Sequence, residues 1–220
     1  MSPRRYHAPK RQSATERTRR RIVDAVIKLH AQHGVTRTTY AMIAKRADVA
    51  IPTVYNHFPT LGDLLAACGG QVLAEAPPLG PEIFVGSGDL AGRLQALARA
   101  ACAYYLYLAP WLRWTAHEAA FVPELAERYA RMAERRRQLI ATALEPAFGA
   151  RPPAALLTLC ETLLDFASWQ RLARDRDIEN GEIETTLAQA LIALAREHLA
   201  AAGIEAVDEP VAIQRGRKPT

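Results

Sequence analysis

The fold is decided by residues 38–65, TTYAMIAKRADVAIPTVYNHFPTLGDLL, where two short helical patterns flank a tight turn. The first helix is predicted to begin at Thr38 or Thr39, with its apolar residues on one side. Residues 48–50 break the pattern, and Pro52 then suits the first turn of a second helix. This arrangement predicts a helix-turn-helix, whose second helix can enter the major groove of B-DNA.

The second helix, residues 51–58, carries many polar and aromatic side chains for its length. Val54 and Phe58 lie four residues apart, so both are predicted to face the core. The other side chains then project outward, where they can hydrogen-bond phosphates or base edges. The Pro52 ring and the Thr53 methyl group can pack on a thymine methyl. The outward polar residues are Thr53, Tyr55, Asn56 and His57.

Helical periodicity continues on both sides, and no stretch shows a convincing strand alternation. A preceding helix is predicted over 13–33, with a possible capping box at Ser13 and Glu16 and a left-handed cap at Gly34. Residues 76–88 are rich in Pro and Gly and predict a linker between two helical units. The fold class is therefore all-α. The other predicted helices are 61–75, one from Leu90 that Pro110 stops, 111–120, 123–148, 153–175 and 182–202.

Composition and charge narrow the class of protein. Half of the 220 residues are hydrophobic, yet no run approaches 18 apolar residues, so a soluble protein without a membrane span is expected. Residues 1–60 hold 12 of the 28 Lys and Arg but only three of the 23 acidic residues. The charge alone fits nucleic acid, an anionic membrane or a merely solvated tail. A membrane is disfavoured, because residues 1–21 lack bulky apolar side chains beyond Tyr6.

Catalytic and metal-binding signatures are missing from the sequence. It contains no GxSxG, P-loop or HExxH motif, and no GxGxxG motif after a strand. His30 and His33 have no carboxylate or cysteine nearby in sequence to complete a metal site. The three cysteines are widely spaced in apolar contexts, which favours buried thiols in a reducing cytoplasm. We therefore expect no catalytic residue, no metal and no cofactor; a helical enzyme that retains a DNA-binding domain is a remote alternative.

A set of short motifs spread over residues 17–75 has a distinctive spacing. The motifs are Gly34, Thr38-Thr39, Ile43-Ala44, Ala47-x-Val49, Thr53-Val54-Tyr55-x-His57-Phe58 and Leu64-Leu65. This combined spacing resembles the TetR family of transcriptional repressors. The resemblance implies a homodimer in which residues 17–75 bind a palindromic operator in double-stranded DNA. It also implies that residues 89–204 dimerise and bind a small-molecule effector that releases the DNA. The predicted DNA-binding residues are Arg19, Thr38, Thr39, Pro52, Thr53, Tyr55, Asn56, His57 and Thr60, with Asn56 helping to set the sequence preference.

Three positions depart from the family pattern. Asp48 stands where the turn usually has Gly, and Asp tolerates a left-handed conformation at some cost. Ala50 replaces the usual Ser cap of the second helix, which loses about 1 kcal/mol. Leu61 replaces a Lys that commonly contacts phosphate. The basic tail, residues 1–16, is a candidate replacement, with residues 4–11 as a possible minor-groove arm.

Aromatic residues predict where an effector would bind. Six of the 15 Phe, Trp and Tyr residues fall between Tyr104 and Phe121, and such a cluster can line a pocket for an apolar or aromatic molecule. Ordinary core packing, in a regulator without an effector, is the alternative. Wide apolar arcs on 153–175 and 182–202 predict the dimer interface, and residues 205–220 are predicted to be disordered. The predicted ligand-binding residues are Tyr104, Tyr107, Trp111, Trp114, His117, Phe121, Phe166 and Trp169.

Overall fold

The computed structural model describes residues 8–149, 151–175 and 178–204, and for residues 8–11 and 175 it describes the backbone only. Most of these residues are helical and none of them forms a strand, so the prediction of an all-α fold is confirmed. No helix among them is long and apolar enough to cross a membrane. The α-helices are α1 (Ala8–His33), α2 (Tyr40–Ala47), α3 (Ile51–His57), α4 (Leu61–Ala74), α5 (Leu90–Glu118), α6 (Pro123–Phe148), α7 (Ala154–Leu163), α8 (Phe166–Gln170) and α9 (Asn180–Ala201).

Distances between Cα atoms divide the chain into two compact units. Unit 1 comprises the residues up to Ala76 together with Pro110–Ala130, and unit 2 comprises Pro77–Ala109 together with the residues from Arg131 onward. The segment Pro110–Ala130 therefore groups with the helix-turn-helix. The assignment of residues 89–204 to effector binding and dimerisation stays a prediction.

Unit 1 is built around the apolar faces of α1 to α4. Val54 and Phe58 are fully buried, as their spacing predicts, and each such side chain contributes about 1.5–3 kcal/mol by leaving water. Val122 and Leu125 belong to the same apolar cluster. The core of unit 1 thus includes a segment that follows α3 by more than 60 residues in the chain.

Unit 2 buries apolar side chains from α5, α6, α7 and α9. The predicted linker 76–88 contains a short 3₁₀ helix, Pro81–Phe84, whose Phe84 is buried. The three cysteines of the chain are free and buried, one in unit 1 and two in unit 2, as their apolar contexts predict. The largest fully buried side chains of unit 2 are Leu94, Leu97, Ile140, Leu144, Leu156, Leu164, Ile183 and Leu191.

The beginning of α1 differs from its prediction. The helix starts at Ala8 rather than at Ser13, so Ser13 lies inside it and the predicted capping box does not mark its start. Pro9 fits the first turn, and the Lys, Arg and Gln residues that follow are good helix formers. Residues 8–16 of the predicted tail are therefore helical. Residues 1–7, the side chains of the proposed arm 4–11 and the tail 205–220 lie outside the described residues.

Two predicted helix boundaries in the later part of the chain are wrong. Pro110 does not stop its helix, since α5 continues through it to Glu118. An internal proline costs about 3 kcal/mol; the contacts that α5 makes beyond Pro110 offset this cost. The single helix predicted over 153–175 is divided into α7, α8 and a π-helical turn, Arg171–Asp175. Asp165 causes this division, because it is extended and its carboxylate caps α8 through the Ala167 N–H at 2.9 Å.

Candidate nucleic-acid interface

The turn between α2 and α3 depends on Asp48. This residue has φ 51° and ψ 57°, and its N–H bonds back to the carbonyls at the end of α2. It is the only non-glycine residue with positive φ among those described. Arg21 of α1 donates to the carbonyls of Ala47 at 2.5 Å and Asp48 at 2.7 Å and pairs with the Asp48 carboxylate at 3.1 Å. Arg21 therefore fastens the turn to α1 and offsets the strain of the left-handed aspartate.

Helix α3 has seven residues, and two of its four predicted outward polar side chains are exposed. Ala50 precedes it in an extended conformation with no side-chain cap, while Pro52 lies in its first turn. Pro52, Tyr55 and Asn56 are exposed, whereas Thr53 and His57 are half-buried. Because Val54 and Phe58 fill the core, the opposite face of α3 is left to meet a partner.

Arg19 holds the end of α3 from inside unit 1. Its guanidinium donates to the carbonyl of His57 at 3.2 Å and lies over the Phe58 ring, 4.3 Å from the ring centroid. A guanidinium has five N–H donors, so these contacts leave others for a phosphate. The contact of Arg19 with DNA stays a prediction, and its packing against α3 was not anticipated.

The threonine hydroxyls predicted to bind DNA also organise local backbone. Thr38 donates to the carbonyl of Gly34 at 2.6 Å, and Thr39 caps α2 by accepting from the Met42 N–H at 3.3 Å. Thr60 forms a capping box with Asp63, to which its hydroxyl donates at 2.7 Å. The Thr39 hydroxyl keeps its proton for a phosphate, whereas that of Thr60 is engaged by the Asp63 carboxylate.

Tyr40, which the sequence analysis did not single out, orients Tyr55. The two rings stack with centroids 4.3 Å apart and an interplanar angle of 5°. The Tyr40 hydroxyl donates to the carbonyl of Phe58 at 3.5 Å, and partial burial raises its pKa above the usual value. Nothing in the spacing of α2 and α3 signals this contact, because it joins two helices across the turn.

Glu118, at the end of α5, fixes the loop between α1 and α2. Its carboxylate is buried and accepts from the N–H groups of Val35 at 2.8 Å and Thr36 at 3.0 Å, and from the Thr36 hydroxyl at 2.7 Å. Gly34 ends α1 with φ 78°, as predicted, and no side chain fits there, because a Cβ would lie 2.3 Å from a Glu118 oxygen. This role of Glu118 was not anticipated from the sequence.

The tryptophans of α5 cap the end of α1. Trp111 donates its indole N–H to the carbonyl of Ile27 at 3.0 Å, and Trp114 donates to that of Ala31 at 3.2 Å. Arg113 donates to the same Ala31 carbonyl at 2.5 Å. Its positive charge is also stabilised there by the negative end of the helix dipole. These contacts are the ones that hold the part of α5 beyond Pro110.

The eight predicted ligand-binding residues are divided evenly between the two units. His117 and Phe121 are exposed in unit 1 and pack edge to face at 5.5 Å, next to the two capping tryptophans. In unit 2, Phe166 and Trp169 are buried around Tyr105. Tyr104 and Tyr107 are half-buried in unit 2. The participation of these eight residues in ligand binding stays a prediction.

The described side chains of residues 8–149, 151–175 and 178–204 do not assemble a metal-binding site. No group of three or more His, Cys, Asp and Glu residues there is placed to hold a metal ion. Cys68 lies 3.9 Å from Nδ1 of His30 in the core of unit 1. Burial lowers the pKa of His30 to about 4 and raises that of Cys68 to about 11, so both are neutral at pH 7.

Comparisons with known proteins agree with this geometry. Residues 22–68 match the sequence model of the bacterial regulatory proteins of the tetR family. An uncharacterized HTH-type transcriptional regulator of Mycobacterium bovis is 37% identical over 62 residues, which are 28% of this chain and 32% of the relative. One from Mycobacterium tuberculosis matches to the same extent. The chain thus spans about a third of the length of the curated relatives that it matches.

Solved structures resemble the chain over a larger part of its length. A transcriptional regulator from Rhodococcus is 19% identical, with a TM-score of 0.57 over 83% of this chain and 96% of that one. The multidrug binding protein EbrR, complexed with imidazole, is 23% identical, with a TM-score of 0.56 over 88% of this chain and 97% of that one. At these identities the likeness shows the fold alone.

The helix-turn-helix and its helical surroundings place the chain in the class of all-α helix-turn-helix folds, an arrangement that can present a helix to the major groove of DNA. The chain is therefore similar, over residues 22–68, to the bacterial regulatory proteins of the tetR family.

Proposed function

We propose that this chain is a transcriptional repressor that binds a palindromic operator as a homodimer and leaves it when a small molecule binds. The observation that carries the proposal is the free face of α3, where Pro52, Tyr55 and Asn56 are exposed opposite a filled core. Two such helices, related by a twofold axis, would read half-sites about one helical turn apart. The exposed Lys45 and Arg46 of α2 supply positive charge for the phosphates.

Residues 17–75 would read the DNA, and residues 89–204 would dimerise and bind the effector. Helices α7 and α9 pack against each other in unit 2. Leu159 of α7 is 45% exposed, and a partner helix packed on it would remove this apolar surface from water. A four-helix contact between two copies of α7 and α9 would cover it.

A small apolar or aromatic compound is the proposed effector class. The buried rings of Tyr105, Phe166 and Trp169 pack at centroid distances of 5.7–6.2 Å in unit 2, and Tyr104 lies beside them at 6.2 Å from Tyr105. The multidrug binding protein EbrR, which shares the fold, has been crystallised with ethidium, a flat aromatic molecule. The proposal includes no catalysis and no cofactor, and it places the protein in the cytoplasm with its operator.

Selection of the purified protein against random DNA duplexes at about 0.15 M salt tests the proposal, since affinities depend steeply on salt. We expect enrichment of a palindrome, and a dimer by sedimentation. Asn56→Ala should relax the base preference, whereas Lys45→Ala should weaken all duplexes alike and reduce the salt dependence. A folded protein that enriches no palindrome would overturn the proposal.

The effector is tested after the operator has been found. Aromatic compounds that raise the melting temperature of the free protein are added to the complex with the selected duplex. We expect at least one of them to release the DNA. If the compounds bind the protein and none of them releases the duplex, effector control would be contradicted.

A further inference from the structure

We infer that α3 reads adenine·thymine base pairs. In this reading, the Asn56 amide pairs with an adenine, and the side chains of Ile51 and Pro52 pack on C5 methyl groups of neighbouring thymines. The inference rests on the proposed function, because it names the bases that the same helix recognises.

The residue types on α3 select among the four bases. Guanine is read most often by Arg or Lys at O6 and N7, and the cytosine amino group is read by Asp or Glu. Residues 49–58, VAIPTVYNHF, contain none of these four residue types. The nearest cations along the chain, Lys45 and Arg46, belong to the preceding helix. What α3 does offer is an amide and several apolar groups, the partners that suit adenine and thymine.

The register of α3 places Asn56 at the centre of the outward face. Successive residues turn by 100°, so Asn56 points away from both Val54 and Phe58, which are buried two positions on either side of it. Its amide is exposed, and no described residue engages it in a hydrogen bond. An Asn amide presents one acceptor and two donors, which match the N6 amino group and N7 of adenine in the major groove.

Two exposed apolar residues, Ile51 and Pro52, lie at the N-terminal end of α3, ahead of the Asn56 amide. Pro52 precedes Asn56 by one turn and shares its face, and Ile51 is 44% exposed at the first position of α3. Exposed apolar groups at a surface that meets DNA have one apolar counterpart in the major groove, which is the thymine methyl. They favour thymine over cytosine at the bases that they cover.

The neighbours of Asn56 are less suited to reading bases. Tyr55 is held by its stack on Tyr40, which lies on α2. His57, which has donors for guanine N7, is half-buried against Phe58, and its carbonyl accepts from Arg19. Base recognition is therefore concentrated on Asn56 and the two apolar residues before it.

The test starts from the palindrome selected by the wild-type protein. The selection is repeated with Asn56→Ala, and the position whose base preference disappears is the one that Asn56 contacts. We expect adenine there and thymine at a neighbouring position. Replacing that adenine by 7-deazaadenine, which lacks N7, should weaken binding roughly tenfold for the wild type. The same replacement should leave the affinity of Asn56→Ala unchanged.

Deoxyuridine tests the apolar contact, because it differs from thymidine only by the C5 methyl group. We expect roughly threefold weaker binding for the wild type and no change for Ile51→Ala combined with Pro52→Ala. Lys45→Ala is the matched control, and it should respond to both modified bases as the wild type does. A palindrome with G·C at the Asn56 position, or modified bases without effect on the wild type, would overturn this inference and leave the proposed function standing. No palindrome at all would instead overturn the proposed function.

Discussion

Unit 1 and unit 2 use their buried polar groups differently. The buried polar residues among those described are His30 and Glu118, both in unit 1, and Glu118 binds backbone N–H groups of a loop. In the described part of unit 2, the most buried ion pair joins Arg136 to Asp165 at 3.6 Å, and both side chains remain partly exposed. Arg136 also lies 3.4 Å from the Tyr105 hydroxyl. Unit 1 thus buries an acidic side chain, whereas the buried polar contact of unit 2 is the neutral Tyr105 hydroxyl on the carbonyl of Leu164.

This difference shows how the short helix α3 is held in place while its outer surface stays exposed. The side chains that fasten the turn and the flanking loop are Arg19, Arg21 and Glu118, and none of them belongs to α3. They bond to backbone atoms, which every residue has. The exposed Pro52 and Asn56 of α3 therefore take no part in fastening the helix, whereas the buried Val54 belongs to the core.

The largest effect is expected from Glu118→Gln in unit 1. The amide oxygen can accept from only one of the two backbone N–H groups, Val35 or Thr36, and the amide NH2 then faces the other, so that a buried donor is left without an acceptor. We expect the free energy of unfolding to fall by about 3 kcal/mol, measured by urea denaturation. Glu124→Gln, at an exposed position of α6, is the control and should change little. A loss below about 1 kcal/mol for Glu118→Gln would remove the distinction between the units.

A nearly equal effect is expected from His30 as the pH falls. Burial lowers its pKa to about 4 from 6.5, so between these values the unfolded chain binds the proton more readily than the folded one. Stability is thus fully present above pH 6.5 and is lost as the pH falls toward 4, by about 3 kcal/mol in total. Urea denaturation at several pH values measures this loss. In His30→Leu the slope in this window should become shallower by that amount; an unchanged slope would assign it to other groups.

Tyr105→Phe gives the corresponding measurement in unit 2. The hydroxyl donates to the carbonyl of Leu164 at 2.5 Å, and its removal leaves that buried carbonyl without this donor. We expect a loss of about 1–2 kcal/mol. Tyr104→Phe is the control, because no described residue bonds to that hydroxyl. A loss as large as that of Glu118→Gln would show that unit 2 depends equally on an internal polar contact.

Arg21→Ala should have a smaller effect, because the guanidinium is half exposed. It removes the donors to the Ala47 and Asp48 carbonyls, and we expect a loss of about 1 kcal/mol in chemical denaturation. Arg20→Ala is the matched control, because the Arg20 guanidinium pairs with Glu16 on the exposed surface of α1. Equal losses for the two variants would mean that Arg21 does not fasten the turn.

The smallest effect, and a stabilising one, is expected from Ala50→Ser. Ala50 has the extended conformation of an N-cap, with φ −72° and ψ 149°, but no side-chain acceptor for the N–H groups of α3. A serine hydroxyl there should stabilise unit 1 by about 0.5–1 kcal/mol. The same change at Ala66, exposed within α4, should instead be neutral or slightly destabilising. A loss at position 50 would show that its cap geometry is already satisfied.

Local patterns predicted much of unit 1. The helix-turn-helix, the left-handed Gly34 and Asp48, and the burial of Val54 and Phe58 were all expected and are present. Each depends on residues within one or two helical turns of one another. The roles of Glu118 and Trp111 were not expected, because their partners lie more than 80 residues away in the chain.

The amino-acid sequence by itself determined the helical periodicity, the position of helix α3 and the basic character of its surroundings. These features follow from the conformational preferences and charges of neighbouring residues. Only the tertiary structure decided that α5 continues through Pro110 and that the segment Pro110–Ala130 groups with the helix-turn-helix. A proline raises the local free energy of a helix, and contacts with a distant segment can offset that cost without leaving any local signal.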